Sequence, residues 1–195
     1  DFLPKAIAEF RHAYAGILFR LNVASPAEVT RQVREGEVDI GLTFSLAPQP
    51  DVRVEHRQRS PILALMSPAH PLAGRRHLKL AQLQPHAMLL PPPETTLRQL
   101  FDICCGQQNL IFTSVFTSNY IESMLNCAIF GGGIALAGEL SIRQRLAQQR
   151  LVAIPIVDAG MDARHIEVQT LTNRTLPAAT AAFVAHLKQA MAAPA

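Results

Sequence analysis

The 195-residue sequence has no apolar run of membrane-spanning length. Its longest proline-free apolar stretch, Cys127 to Gly138, contains three consecutive glycines and falls well short of the ~20 apolar residues a spanning helix needs. The opening residues, DFLPKAIAEF, lack the basic start and apolar stretch of a secretory signal, so a cytoplasmic location without membrane contact is expected. Cys104, Cys105 and Cys127 are an odd count with no C-x-x-C spacing, and reduced thiols are the expectation. There is no H-E-x-x-H, no G-x-S-x-G and no G-x-x-x-x-G-K-[ST] loop. The 7 histidines fall into no catalytic or metal-ligating pattern, and His70, close to Pro68 and Pro71, reads as a loop residue. No catalytic residue, metal or cofactor is therefore expected.

What is present is 49% hydrophobic and 17% charged, with 14 prolines and 10 glycines spread along the chain. A chain of this length buries roughly 70% of its unfolded surface and needs no disulfide or metal to hold a core. One large domain or two small lobes fit. The formal net charge is +3 and the pI about 9.0, which invites a nucleic-acid reading. The basic residues are scattered, however. The densest groups are Arg53/Arg57/Arg59 and Arg75/Arg76/Lys79, and no basic stripe interleaves with aromatics, so a solvated surface is expected instead.

Apolar spacing predicts a helix from Leu3 to Ala15, stopped at Gly16, then a strand from Ile17 to Val23. Ser25-Pro26 pairs a favoured N-cap with a favoured first helical residue, so a helix should run to about Arg34 and end at Gly36. A strand from Val38 to Phe44 would complete a right-handed βαβ unit in a parallel sheet. Pro48 and Pro50 break the chain. Further strands are expected at Ile62–Met66, Ala87–Leu90, Ile111–Phe116, Ile134–Ala137 and Ile166–Leu171, with extended segments at Val52–His56 and Leu151–Ile156. Helices are expected at Leu80–Leu83, from a Thr95 or Thr96 cap to about Gly106, at Tyr120–Phe130 capped by Asn119, at Leu140–Gln149 and at Pro177–Ala192. Gly131 to Gly133 follows a helix, which makes the triplet a helix stop and not a phosphate cradle. This order implies an α/β fold of two lobes, with crossovers near Ile62 and Ile166.

Four segments in register carry a family resemblance: FLPKAIAEFRHAYAGILFRL, VREGEVDIGLTF, LMSPAHPLAGRRHLKLAQLQ with His70-Pro71-Leu72-Ala73, and SNYIESMLNCAIFGGGIAL. Together they resemble the effector-binding domain of LysR-type transcriptional regulators. The resemblance covers nearly the whole chain. It implies two Rossmann-like lobes of the type 2 periplasmic-binding-protein fold with a ligand cleft between them: residues 1–63 with 167–195, and residues 64–166. It also implies that a first strand and an N-terminal winged helix-turn-helix, the part that would touch DNA, lie outside this sequence. A homodimer or tetramer through this domain is implied, with the helices after Ser25 and Asn119 as contact faces.

The family's effector lies between the lobes, and open α/β sheets bind ligands beyond strand ends, where helix starts offer free N–H groups. That selects Ser25, Thr43, Phe44, Ser45, Pro92, Thr95, Thr96, Ser118 and Asn119 as effector-binding candidates. Helix capping alone accounts equally well for Ser25, Thr96 or Asn119 taken singly. Residues 43–45 and 92–96 hold no Lys or Arg, and Glu94 adds a carboxylate, which leaves Arg98 as the only nearby cation. A small polar molecule held by hydroxyls and helix starts is expected. Peroxide-sensing members carry a cysteine pair in the equivalent helix; Cys105 is similar to the second, but Thr96 stands where the first would be. The expected function is effector sensing for a transcriptional regulator. The alternative is an extracytoplasmic solute-binding protein of the same fold.

Overall fold

The computed structural model describes residues 2–47, 49–147 and 150–192, and divides into two compact units, Asp1–Gln58 with His165–Ala195, and Arg59–Arg164. The chain thus changes unit a few residues before both expected boundaries. The expected break at Pro48 and the expected helix end at Gln149 lie outside the described residues.

In the first unit, helix α1 (Phe2–Ala13) buries Ala6 and Phe10 against helix α7 (Ala178–Ala192), which buries Phe183, Val184, Leu187 and Met191. Phe10 meets Phe183 edge to face at 5.0 Å, and His186 Nε2 lies 3.0 Å from the Ala6 carbonyl. Helix α2 (Pro26–Arg34) begins as its sequence dictates: Ser25 Oγ accepts the Glu28 N–H at 3.3 Å and Pro26 opens the first turn. Arg31, bonded to Glu28, Glu35 and Glu37, staples its outer face.

Strands β1 (Gly41–Ser45), β2 (Val52–Arg59) and β8 (His165–Leu171) form a three-stranded sheet in the order β1-β8-β2. The strand expected at Ile17–Val23 does not form. An extended segment becomes a strand only when a neighbour takes its backbone hydrogen bonds, and none among the described residues does so. Leu18 and Val23 stay 90% and 92% exposed, while Phe19 anchors the segment on Phe183 at 4.8 Å. The expected βαβ unit is therefore missing its first strand, and β1 pairs antiparallel with β8 instead of belonging to a parallel sheet.

The second unit holds β3 (Ile62–Met66), α3 (Leu80–Leu83), β4 (Met88–Leu90), α4 (Thr96–Gln107), β5 (Ser114–Thr117), α5 (Ile121–Ile129), β6 (Ile134–Gly138), α6 (Glu139–Ala147) and β7 (Val152–Pro155). Its five-stranded sheet runs β5-β4-β6-β3-β7. β4 lies parallel to β5 and β6, as the two expected βα units require; β3 is antiparallel to β6 and β7. Leu65, Leu89, Leu125, Ala128, Ala135 and Ile142 form the core between this sheet and α5 and α6.

β5 starts later than its apolar residues suggest. The Leu110 N–H still bonds to the Cys105 carbonyl and Asn109 is left-handed (φ 55°), so the chain after α4 pairs only from Ser114. Gly133 has φ 145°, and a Cβ there would sit 2.5 Å from the Ala87 carbonyl oxygen, the acceptor of the Ile134 N–H. That close approach is what the glycine triplet provides.

Candidate functional site

Of the expected helix caps, one of the two threonines offered for α4 holds its place and Asn119 does not. Thr95, not Thr96, caps α4: its Oγ1 accepts the Arg98 N–H at 3.3 Å and donates to the Pro92 carbonyl at 2.9 Å. Asn119 does not cap α5; Tyr120 holds the cap position without a side-chain bond, and Ser118 Oγ accepts the Tyr120 N–H at 3.1 Å. The Ser118-Asn119 pair forms a local turn one residue too early for Asn119 to reach the first helical N–H groups.

Freed from capping, Thr96 does something else. Its Oγ1 accepts a hydrogen bond from Arg164 Nε at 3.3 Å, across 68 positions of sequence. Arg164 is only 5% exposed, and burial pushes its guanidinium down from the ordinary value to about 9, so it keeps its proton at neutral pH. The Ser60 N–H donates to the Arg164 carbonyl at 2.8 Å. Ser60 Oγ is buried without a hydrogen-bond partner. Gly138 makes room for both: a Cβ there would lie 2.5 Å from Ser60 Oγ and 3.0 Å from Arg164 Nη1. The start of α4 is thus backed by a buried cation.

Arg98, the cation singled out from sequence, turns away along its own helix. Its Nε binds Asp102 at 2.8 and 2.9 Å and its Nη1 reaches the Pro91 carbonyl at 3.4 Å. Arg98 is therefore not the only cation near the α4 start. Sequence reasoning missed Arg164 because no spacing rule links a residue just before β8 to the first turn of α4. The nearest signal was the crossover expected around Ile166.

In the first unit, Ser25 is exposed and spends its hydroxyl on capping. Thr43 and Ser45 face inward from β1, 4% and 5% exposed, while Phe44 is half-buried. Ser45 donates to Glu167 Oε1 at 2.6 Å, Gln169 Nε2 donates to Glu167 Oε2 at 2.8 Å, and Thr30 donates to Gln169 Oε1 at 3.0 Å. Arg57 Nε stands 3.4 Å from Glu167 Oε1. Glu167 is fully buried and is the sink of this chain of donors. Thr43 Oγ1 is buried with no partner. The Ser45 hydroxyl is thus committed, and the Thr43 hydroxyl is not.

Burial pushes the Cys105 thiol up to about 12 and also raises Cys104. Neither forms a thiolate readily. Among the described residues, no group of His, Cys, Asp and Glu could hold a metal ion, and no helix is long and apolar enough to cross a membrane. An open groove of about 890 Å³ in the first unit is lined by Arg53, Glu55, Arg174, Lys188 and uncharged residues, and contains none of the candidate positions.

Comparison with known proteins agrees with the two-lobe α/β fold. The effector-binding domain of QuiR, solved in complex with shikimate, superposes with a TM-score of 0.75 at 17% identity, covering 96% of this chain and 88% of that one. The Synechocystis CcmR regulatory domain, solved with 2-PG, gives 0.77 at 19%, covering 96% and 90%. The RuBisCO operon transcriptional regulator of Allochromatium vinosum is 23% identical over 155 residues, 80% of this chain and 51% of the regulator. The CbbR regulator of Sinorhizobium medicae is 23% identical over 178 residues, 91% and 57%. The chain spans about half the length of the curated relatives it matches. Residues 1–192 match the LysR substrate binding domain, and the chain belongs to that family of effector-binding domains.

Proposed function

We propose that this domain binds a small metabolite at the start of α4 and passes the binding event to a DNA-binding region elsewhere in a longer, cytoplasmic regulator. The carrying observation is the polar set at that helix start: Thr95, Thr96, Ser60 and the buried Arg164, with no nucleophile–base pair among them. Hydroxyls and helix N–H groups bind and orient a ligand without transforming it. Shikimate, 2-PG and benzoate are bound by similar domains, which supports a ligand of that size. Self-association through α2 and α5 belongs to the same reading, and DNA contact falls to residues outside this chain. A ligand shifts such a switch only by its difference in affinity between states, so weakening the site blunts the response without unfolding the domain.

A thermal-shift screen of metabolites, with shikimate, benzoate and 2-PG among them, tests the proposal. A specific binder present at 100 times its Kd stabilises by about 2.7 kcal/mol. Thr96→Ala should reduce that shift, measured from the variant's own ligand-free midpoint, which itself falls because the buried Arg164 Nε loses its acceptor. A binder whose shift ignores Thr96→Ala and Thr95→Ala together would remove the site from α4.

A further inference from the structure

We propose that the open groove of the first unit, between β2, the turn after β8 and α7, is a second binding site, built for a small organic carboxylate with an apolar body. It shares no residue with the start of α4. Its volume, about 890 Å³, falls within the roughly 300–1,000 Å³ of small-molecule sites. On the α7 side the groove is kept open by Ala181 and Ala185, one turn apart on the same helix face, where a longer side chain would close it. Their exposed methyl groups and the half-buried Leu176 offer apolar surface above the buried Val52 and Val184. Lys188 follows Ala181 and Ala185 on that face and ends it with a charge.

The charges around this surface are unequal. Arg53, Arg174 and Lys188 line the groove against a single carboxylate, Glu55, whose side chain is 8% exposed. Glu55 is already served. Thr170 Oγ1 donates to its Oε1 at 3.1 Å, Arg53 Nε stands 2.9 Å from the same oxygen, and Lys188 Nζ stands 3.6 Å from Oε2. A guanidinium paired through Nε keeps its two Nη groups, which together match a carboxylate, for another acceptor. Lys188 is too far from Glu55 for a full hydrogen bond, and so is Arg174 from Asp39, at 3.7 Å. Glu55 thus positions Arg53 and Lys188 without using up their donors. The surplus of positive charge disfavours a cation, and a bare inorganic ion would leave the alanine methyls and Leu176 facing water. A carboxylate on a small ring or branched chain uses both features.

The test titrates the whole domain with cyclohexanecarboxylate, its neutral counterpart cyclohexanecarboxamide, and acetate, read by 1H–15N NMR. Cyclohexanecarboxylate should move the amides of Arg53, Asn173, Arg174 and Ala185 and saturate. The carboxamide, which lacks the charge, and acetate, which lacks the ring, should each bind at least about tenfold more weakly, the loss expected for one charge-assisted contact or a few buried methylenes. Arg174→Gln, an exposed change in the turn, should weaken binding about tenfold. Ala185→Phe, exposed on α7, should fill the groove and abolish it with every charge kept, whereas Thr96→Ala should leave groove affinity unchanged. In the Ala185→Phe background any remaining thermal shift belongs to the start of α4, so the two readings fail separately. Equal affinity for acid and carboxamide, equal affinity for cyclohexanecarboxylate and acetate, binding that survives Ala185→Phe, or no saturable movement of the groove amides would each overturn the inference.

Discussion

Replacing Glu167 should separate the buried carboxylate's charge from its shape. Its two oxygens accept from Ser45 at 2.6 Å and Gln169 at 2.8 Å, with Arg57 at 3.4 Å, and it is fully buried. Glu167→Ala leaves two donors and a cation without their acceptor and opens a void. Arg57 is partly exposed and keeps its solvation, so the cost lies in the two buried donors, about 1–3 kcal/mol each. Glu167→Gln has a way out. The Gln169 amide can turn over, accept from the new amide and donate to the Thr30 hydroxyl, which now accepts. Only the charge-assisted part is lost, about 1–2 kcal/mol. Urea unfolding at neutral pH, with the m-value checked for constancy, measures both. Equal losses for the two variants, or less than about 1 kcal/mol for the alanine, would refute the donor chain as drawn.

Three other outcomes follow from single contacts. Gly133→Ala should destabilise by more than about 1 kcal/mol, since the new Cβ meets the Ala87 carbonyl at a backbone angle side chains avoid; Gly74→Ala, where a Cβ meets nothing, is the control in the same melt. A thiol reagent should label Cys127 before Cys104 and Cys105, which are buried and have raised pKa values; mass spectrometry of early time points reads the order. His70 is held below its ordinary 6.5 by burial and by His86, 4.8 Å away between ring centroids. Its Nδ1 accepts the Leu72 N–H, a bond that protonation removes. Above pH 6.5 both folded and unfolded forms are neutral and this contribution is complete; as pH falls, the unfolded chain takes the proton first and stability declines. His70→Asn should flatten that part of the pH–stability curve, and an unchanged slope would exclude the histidine as its source.

Most elements were legible where local chemistry decides. Ser25-Pro26 announced α2, the glycine triplet announced the turn into β6, and the family pattern followed from four segments in order. Elements failed where a distant partner decides. Ile17–Val23 has the composition of a strand but no neighbour among the described residues to pair with. The inward-facing Glu167 and Gln169 were hidden because β8 is buried on both faces, so alternation says nothing about which polar residue points inward. The candidate site was read in the same partial way. Junction rules found Thr95 and Thr96, but assigned the nearby charge to Arg98 by proximity in sequence, whereas the fold brings Arg164 to Thr96 from the other end of the unit.

A crystal structure of this domain with the metabolite that stabilises it most would test the account most directly. The account predicts a polar group of that ligand within hydrogen-bond distance of the Thr96 hydroxyl or the first N–H groups of α4, with Arg164 bonded to Thr96 behind it. A ligand seated elsewhere, with the start of α4 untouched, would contradict it.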